Sequence, residues 1–242
     1  MSELPPDARP RTEDEAYACQ DALVARLKEH YSGETIGYKI ACTNPIAQEL
    51  LHMKEPFRGR MLSSFCFESP ASLETDHFFM RVIEAEFAFR MARDLPPASR
   101  PVPTEEIAEA VEGVLAGIEI VDSRFDDWTT VGAESLIADN ACHAAWIRGK
   151  LERNWRGIDL GVQEVRLAVS GEVVQTGSGA AVLGHPLKAL EWLVRHLHSR
   201  GATLGAGEYI TTGVTTGIYM GQRGDRIRAE FGRVGGVDLE LV

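Results

Sequence analysis

Apolar residues recur at helical spacing in two long segments of the chain. The first segment follows a capping-box motif, Thr12-Glu13-Asp14-Glu15, and predicts a helix that ends near Lys28. The second runs from about Pro186 to His198, keeps its leucines on one face and stops before Gly201. Shorter helices are predicted after Asn44-Pro45 and over 104–113.

Alternating apolar and polar residues predict strands through the middle and the end of the chain. The predicted strands are 35–42, 78–91, 115–121, a hairpin over 167–176 that turns at Ser170-Gly171, 209–212, 226–231 and 237–242. These strands do not alternate regularly with helices. An α+β fold is therefore favoured over a doubly wound parallel sheet.

Composition limits the kinds of partner that the protein can have. The chain has 242 residues, with 25 Lys and Arg against 36 Asp and Glu, which gives a net charge of −11. An acidic protein is a poor partner for nucleic acid or for an anionic membrane surface, because both attract concentrated Lys and Arg. No apolar run reaches the roughly 18–20 residues of a membrane span. Four well-separated cysteines are typical of reduced thiols, so we expect a cytoplasmic protein.

Three glutamates are the first candidates for chemistry. Glu84 and Glu86 lie two residues apart on one predicted strand and therefore share a face, whereas Glu119 is the only charge in a strongly apolar strand. If the three carboxylates meet, a divalent cation would remove their mutual repulsion. Oxygen ligands without nearby Cys or His favour Mg²⁺ or Mn²⁺ over Zn²⁺. The alternative for Glu84 and Glu86 is a solvated face of a sheet.

Two further positions carry reactive side chains. Lys39 is an isolated cation in an apolar strand, where it could bind a substrate carboxylate, exchange a proton, or simply extend to solvent from an edge strand. Cys142 precedes His143, but adjacent residues on a strand point to opposite faces, which disfavours thiol catalysis by this pair. The segment Gly177-Ser178-Gly179 lacks a third glycine and is more typical of a turn than of a dinucleotide site.

Six segments together resemble a known enzyme group. They are IGYKIACTNP (36–45), EPFRGRML (55–62), VIEAEFAF (82–89), IEIVDSRFDDW (118–128), IADNA (137–141) and GEVVQTGSGAAVLGHPL (171–187). In this order they resemble the 2-keto-4-pentenoate hydratase group of the fumarylacetoacetate hydrolase superfamily, which also includes the 4-oxalocrotonate decarboxylases. The resemblance covers almost the whole chain.

The resemblance implies a fold and a domain organisation. It implies a fumarylacetoacetate hydrolase-like mixed β-roll with flanking helices, present as a homo-oligomer. We expect residues 1–11 to be a flexible lead and 12–242 to form a single catalytic domain, with the helical part of about 12–55 packed on the roll.

The resemblance also implies roles for site residues. Those implied roles are metal binding by Glu84, Glu86 and Glu119, substrate contact and proton transfer by Lys39, and substrate binding by Asn140, Cys142 and Thr212, the last beside Gly213. Two segments depart from the usual pattern. The loop after EPFRG carries Ser63 and Ser64 where an acidic residue is typical, and the usual D-N-A-S-S is D-N-A-C-H here.

The expected activity is that of a metal-dependent lyase, a hydratase of 2-hydroxy-2,4-dienoates or their 2-keto-4-enoate tautomers in aromatic catabolism. Three alternatives stay open: a 4-oxalocrotonate-type decarboxylase, an acylpyruvate C–C hydrolase, and a degenerate partner subunit. A second basic pocket would favour the decarboxylase, with Arg60, Arg81 and Arg124 as its candidates. In each enzymatic case the partner is a small 2-keto acid substrate.

Overall fold

The computed structural model describes residues 1–242 and contains five helices and thirteen strands. The helices are α1 (Glu13–Tyr31), α2 (Pro45–Leu50), α3 (Thr104–Glu109), α4 (Ala133–Ala138) and α5 (Pro186–Ser199). The strands are β1 (Thr35–Ala41), β2 (Phe57–Leu62), β3 (Cys66–Glu68), β4 (Ala71–Leu73), β5 (Val82–Met91), β6 (Val111–Val121), β7 (His143–Arg148), β8 (Glu164–Val169), β9 (Glu172–Ser178), β10 (Tyr209–Val214), β11 (Tyr219–Met220), β12 (Arg226–Glu230) and β13 (Gly236–Leu241). None of the helices is long and apolar enough to cross a membrane.

Local sequence signals account for most of the element boundaries. The Thr12 hydroxyl accepts a hydrogen bond from the Glu15 N–H at 3.2 Å, so Thr12 is the N-cap of α1 as predicted. The Glu15 carboxylate accepts from the Arg11 N–H at 2.7 Å, one residue before the donor that a capping box uses. The β8–β9 hairpin turns at Ser170 and Gly171, which have φ of 51° and 92°. Helix α3 is shorter than predicted, because the chain becomes extended at Val111 and pairs with Met91 of β5.

The strands form two mixed sheets. The larger sheet has the order β2-β1-β10-β5-β6-β7-β3, with β11 also paired to β5, and the smaller has the order β4-β13-β12-β8-β9. The β1–β10, β3–β7 and β4–β13 pairs are parallel, and the remaining pairs are antiparallel. This arrangement confirms the α+β class. The division at residues 11 and 12 stays a prediction.

The main hydrophobic core lies on one face of β5. Ile83, Ala85, Phe87 and Phe89 are fully buried there, and the Phe87 ring packs edge-on against Phe231 with centroids 4.9 Å apart. Side chains alternate along a strand, so Glu84 and Glu86 must point to the opposite face of the sheet. Packing of the core thus determines where the carboxylates lie.

Candidate metal centre and active site

The three candidate glutamates converge at the middle of the larger sheet. Antiparallel pairing of β5 with β6 places Glu84 directly opposite Glu119, and Glu86 follows two residues along β5. One carboxylate oxygen from each residue lies within 4.8 Å of the others. Glu86 and Glu119 are completely buried. The structure therefore brings together residues that are 35 positions apart in the chain.

Glu86 and Glu119 each have one oxygen held by protein donors and one oxygen without a partner. Glu86 Oε2 accepts a hydrogen bond from the Gly213 N–H at 2.8 Å. Glu119 Oε1 lies 3.3 Å from Lys39 Nζ and 2.9 Å from His143 Nδ1. Glu86 Oε1 and Glu119 Oε2 are buried and have no hydrogen-bond partner. Buried polar atoms are nearly always partnered, so these two oxygens are suited to a ligand.

The charge balance of the cluster indicates what kind of ligand it would hold. Three carboxylates face a single cation, Lys39, so two negative charges are uncompensated when all three are ionised. Burial and mutual repulsion raise the pKa of Glu84 and of Glu86 to about 8, and burial raises the pKa of Glu119 to about 7 against the effect of Lys39. A divalent cation with oxygen ligands balances this charge. The residues therefore form a site suited to a divalent metal.

Lys39 lies beside the cluster in a closely fixed position. Its side chain is 2% exposed, and its Nζ donates a hydrogen bond to the Ala141 carbonyl at 3.0 Å. Burial alone would lower the pKa of Lys39, but the charges of Glu119, Glu84 and Glu86 raise it above its usual value. Asn140, Ala141 and Cys142 all have positive φ, between 54° and 57°, in the turn that presents this carbonyl. The neighbouring carboxylates therefore favour the protonated form of Lys39.

A cavity opens beside Glu84 and Lys39. These two residues are its only charged lining residues, and most of the others are apolar. The apolar lining residues include Ala41, Ala47, Leu50, Leu51, Phe57, Val82, Val121, Trp128, Leu136, Val214 and Ile218. Thr43, Cys142 and Gly213 also line the cavity. The cavity thus has one charged end and a hydrophobic remainder.

Comparison with known proteins agrees with this site. The family profile described as "Fumarylacetoacetate (FAA) hydrolase C-terminal" matches residues 67–241. A 2-keto-4-pentenoate hydratase of Paraburkholderia xenovorans LB400 is 33% identical over 94% of this chain and 83% of its own. The chain belongs to the fumarylacetoacetate hydrolase family.

Decarboxylases are also relatives of this member of the fumarylacetoacetate hydrolase family. A 4-oxalocrotonate decarboxylase of Pseudomonas putida is 29% identical over 90% of the chain and 82% of its own. The solved structure of the 4-oxalocrotonate decarboxylase from Pseudomonas putida G7, in complex with magnesium and adipate, has a TM-score of 0.88 and 27% identity, covering 96% of this chain and 86% of that one. The predicted β-roll and the hydratase and decarboxylase resemblance are confirmed.

The residues expected to bind substrate lie in different settings within this fumarylacetoacetate hydrolase fold. Cys142 lines the cavity. The Asn140 side chain instead accepts from the Arg60 N–H at 2.7 Å and donates to the Arg60 carbonyl at 2.9 Å. The Thr212 hydroxyl donates to the Phe87 carbonyl at 3.0 Å, and Gly213 beside it lines the cavity. A substrate-binding role for Asn140, Cys142 and Thr212 stays a prediction.

The positions of two side chains at the site were not predicted from the sequence. Thr43 lines the cavity with a buried, unpartnered hydroxyl, and His143 contacts Glu119. The signal for His143 was its place in the D-N-A-C-H segment, which departs from the usual pattern. In the other departing segment, the Ser63 hydroxyl accepts from the Glu34 N–H between α1 and β1, and the Ser64 hydroxyl donates to the Tyr31 carbonyl at the end of α1.

Proposed function

We propose that this protein is a divalent-metal-dependent hydratase that converts a 2-hydroxy-2,4-dienoate, through its 2-keto tautomer, to the 4-hydroxy-2-keto acid. The carboxylate cluster beside Lys39 supports a metal-dependent reaction. The relative from Paraburkholderia xenovorans, which this chain matches over most of its length, bears the name of such a hydratase. The metal would be Mg²⁺ or Mn²⁺, because all three candidate ligands are carboxylates.

The chain's own residues would hold the substrate and manage one proton. Glu84, Glu86 and Glu119 would hold the cation, which when bound supplies a Lewis acid for two vicinal oxygens of a 2-keto acid. Lys39 Nζ would attract the substrate anion at the charged end of the cavity. Ketonisation moves a proton from the 2-hydroxyl to C5, and a protonated Lys39 is suited to assist that transfer. Water then adds at C4, which is conjugated to the new ketone.

The apolar wall of the cavity favours the hydratase over the decarboxylase. A substrate with a second carboxylate needs a second cation, but Lys39 is the only basic residue that lines the cavity. Arg60 pairs with Glu208 and stacks on Tyr38, and Arg124 pairs with Asp139. Arg81 donates to the Gly221 carbonyl at 3.1 Å. This cavity lining is the observation that carries the proposal of a monocarboxylate with an apolar tail.

The cysteines and the family resemblance support a cellular compartment and an oligomeric state for the enzyme. The four cysteines are free thiols, which supports a reducing compartment and hence the cytoplasm. The family resemblance supports a homo-oligomer.

Ultraviolet-monitored turnover of three substrates tests the function. The panel is 2-hydroxypenta-2,4-dienoate, 4-oxalocrotonate and an acylpyruvate, each with Mg²⁺, with Mn²⁺ and after chelation. We expect metal-dependent loss of the pentadienoate that stops on chelation, and far slower loss of 4-oxalocrotonate. Preferred turnover of 4-oxalocrotonate would assign the decarboxylase branch, and turnover of the acylpyruvate alone would assign the hydrolases. Metal binding without any turnover would indicate a degenerate subunit.

A further inference from the structure

His143 makes its only side-chain polar contact with a candidate metal ligand. Its side chain is 1% exposed, and Nδ1 lies 2.9 Å from Glu119 Oε1. The other ring nitrogen, Nε2, is buried and has no hydrogen-bond partner. A buried imidazole that leaves one nitrogen unpartnered gains its polar stabilisation entirely from the other. The contact with Glu119 is therefore the one that determines how the ring is oriented.

The ionised state that Glu119 needs for cation binding determines which atom donates in this hydrogen bond. Glu119 must be an ionised carboxylate to ligate a metal, so Oε1 can only accept hydrogen bonds. His143 Nδ1 must then carry the proton and donate it to Oε1. Lys39 Nζ, 3.3 Å away, is the second donor to the same oxygen. Both donors therefore hold Oε1, and Oε2 is left for the cation.

A glutamate needs such donors to present one oxygen reliably. The terminal torsion of a glutamate side chain is broad and nearly two-fold, so the carboxylate plane is weakly defined by the chain itself. Glu86 shows the same device with a different donor, because the Gly213 N–H holds its Oε2 and leaves Oε1 free. Partners of this kind, one shell outside the ligands, commonly change metal affinity by about 10–100-fold when they are removed.

We propose that His143 is a positioning residue for Glu119, which donates its Nδ1–H to Oε1, directs Oε2 towards the carboxylate cluster and thereby sets the affinity for the divalent cation. This inference rests on the proposed function only in requiring that a cation binds at Glu84, Glu86 and Glu119. It assigns His143 no contact with the substrate and no proton transfer.

Mn²⁺ binding to the metal-free protein tests the inference without any substrate. Free Mn²⁺ is measured by electron paramagnetic resonance for the wild type, His143→Leu, His143→Asn and Glu86→Gln. Leucine removes the donor, whereas asparagine can place an N–H close to the position of Nδ1. We expect His143→Leu to weaken Mn²⁺ binding about 10–100-fold and His143→Asn to stay within about threefold of the wild type.

The variants separate failure of this inference from failure of the proposed function. If the wild type binds Mn²⁺ no better than Glu86→Gln does, the metal site itself is wrong. If the wild type binds Mn²⁺ and His143→Leu binds it equally well, the metal site stands and the role of His143 is wrong. Near-ultraviolet circular dichroism of each metal-free variant checks that its fold is retained.

A second measurement on the wild type holds even if His143→Leu does not fold. Nitrogen NMR of protein labelled with ¹⁵N only at histidine reports which ring nitrogen of each histidine bears the proton. The His143→Asn spectrum assigns the His143 signals, and we expect Nδ1 to be protonated and Nε2 to be bare in the Mg²⁺-loaded protein. A proton on Nε2 alone would overturn the inference, because Nδ1 could not then donate to Glu119.

Discussion

Two buried polar clusters in this protein each contain polar atoms without a hydrogen-bond partner but differ in the charge that they gather. One is the carboxylate cluster of Glu84, Glu86 and Glu119 beside Lys39 and His143. The other, which we call the Arg58 cluster, lies between α1, β2 and α5 and consists of Arg58, Gln20, Tyr17 and His196. Arg58 Nη1 donates to Gln20 Oε1 at 2.7 Å, and Gln20 Nε2 donates to the carbonyls of Arg58 and Ile137 at 2.9 and 2.8 Å.

The difference lies in the sign and the number of the buried charges. Arg58 is a single buried cation, and the Tyr17 ring, 4.4 Å from its guanidinium carbon, and a neutral amide solvate it even though Nε lacks a partner. The carboxylate cluster gathers three like charges and leaves two carboxylate oxygens free. A single solvated charge stabilises the packing of a helix, whereas an excess of one sign with free oxygens indicates a ligand. Four experiments test this distinction.

The largest effect is expected from Glu86→Gln. Glutamine keeps an oxygen for the Gly213 N–H but removes a charge and a proposed metal ligand. Loss of the metal's contribution, several kcal/mol, should lower kcat/KM about 1000-fold or more. The metal-free variant should be as stable as the wild type at pH 8 or more stable, because like-charge repulsion is relieved. Steady-state kinetics and urea unfolding measure the two effects.

A matched control for Glu86→Gln is Glu112→Gln. Glu112 lies outside the cluster and pairs with Arg90 and Arg153 at the surface. Its variant should keep full activity and full response to metal. A marked loss of metal-free stability in Glu86→Gln would contradict our interpretation, since it would mean that the carboxylate is a structural group like Arg58.

Lys39→Met should separate catalysis from metal binding. Lys39 is also a donor to Glu119 Oε1, but His143 still holds that oxygen in the variant, and removal of a positive charge 3.3 Å from Glu119 strengthens the attraction for a cation. Mn²⁺ should therefore bind at least as tightly as in the wild type. Turnover should still fall about 100-fold or more, which is the usual contribution of a group that assists proton transfer. Weaker Mn²⁺ binding in Lys39→Met would instead assign the lysine a role in shaping the site.

Local signals in the sequence were sufficient for the fold class and for most elements. The N-cap at Thr12, the glycine turn after Ser170 and the alternation along β5 each act within a few residues. The end of α3 was placed wrongly because its last residues are drawn into pairing with Met91, a contact that no helical signal reveals. Tertiary pairing overrode local propensity there.

The convergence of the three glutamates could be anticipated from the sequence, but the hydrogen bonds of the carboxylate cluster could not. Glu119 could be found because a charge in an apolar strand needs a reason. The contacts of the carboxylates depend on the strand register that places Glu84 opposite Glu119. The position of Lys39 depends on the turn that brings the Ala141 carbonyl to its Nζ. The side chain of Asn140 bonds to main-chain atoms of Arg60, 80 residues away, which no spacing in the sequence could indicate.

Gly213→Ala should show how tightly the backbone is packed at the carboxylate cluster. Gly213 has φ of 98°, and a Cβ there would lie 1.9 Å from Thr43 Oγ1. Strain from the left-handed backbone and overpacking together predict a loss of about 3 kcal/mol in the free energy of unfolding. Gly171→Ala is the matched control. Its φ is 92° with no atom within 4 Å, so it should lose only about 1 kcal/mol. Equal losses in urea unfolding would exclude the contact with Thr43.

The smallest effect concerns the pH dependence of stability, and it comes from the Arg58 cluster. His196 stacks on Trp192 and lies against Tyr17, both with centroids 5.0 Å away. Burial, with the charges of Arg58 and Arg200, lowers the pKa of His196 to about 3, although Glu13 Oε1 lies 4.0 Å from Nδ1. The unfolded chain takes up a proton near pH 6.5, whereas the folded protein does not until near pH 3.

Stability contributed by a neutral His196 is therefore complete above about pH 6.5 and is lost as the pH falls towards 3. This difference in pKa predicts a loss of about 2 kcal/mol between pH 7 and pH 5.

His196→Phe keeps an aromatic ring without the titration, so urea unfolding should show it losing about 2 kcal/mol less than the wild type over that range. His143 and the three glutamates titrate in both proteins and cancel in this difference. Identical profiles for the wild type and His196→Phe would mean that His196 is protonated in the folded protein, and that the Arg58 cluster also gathers like charges.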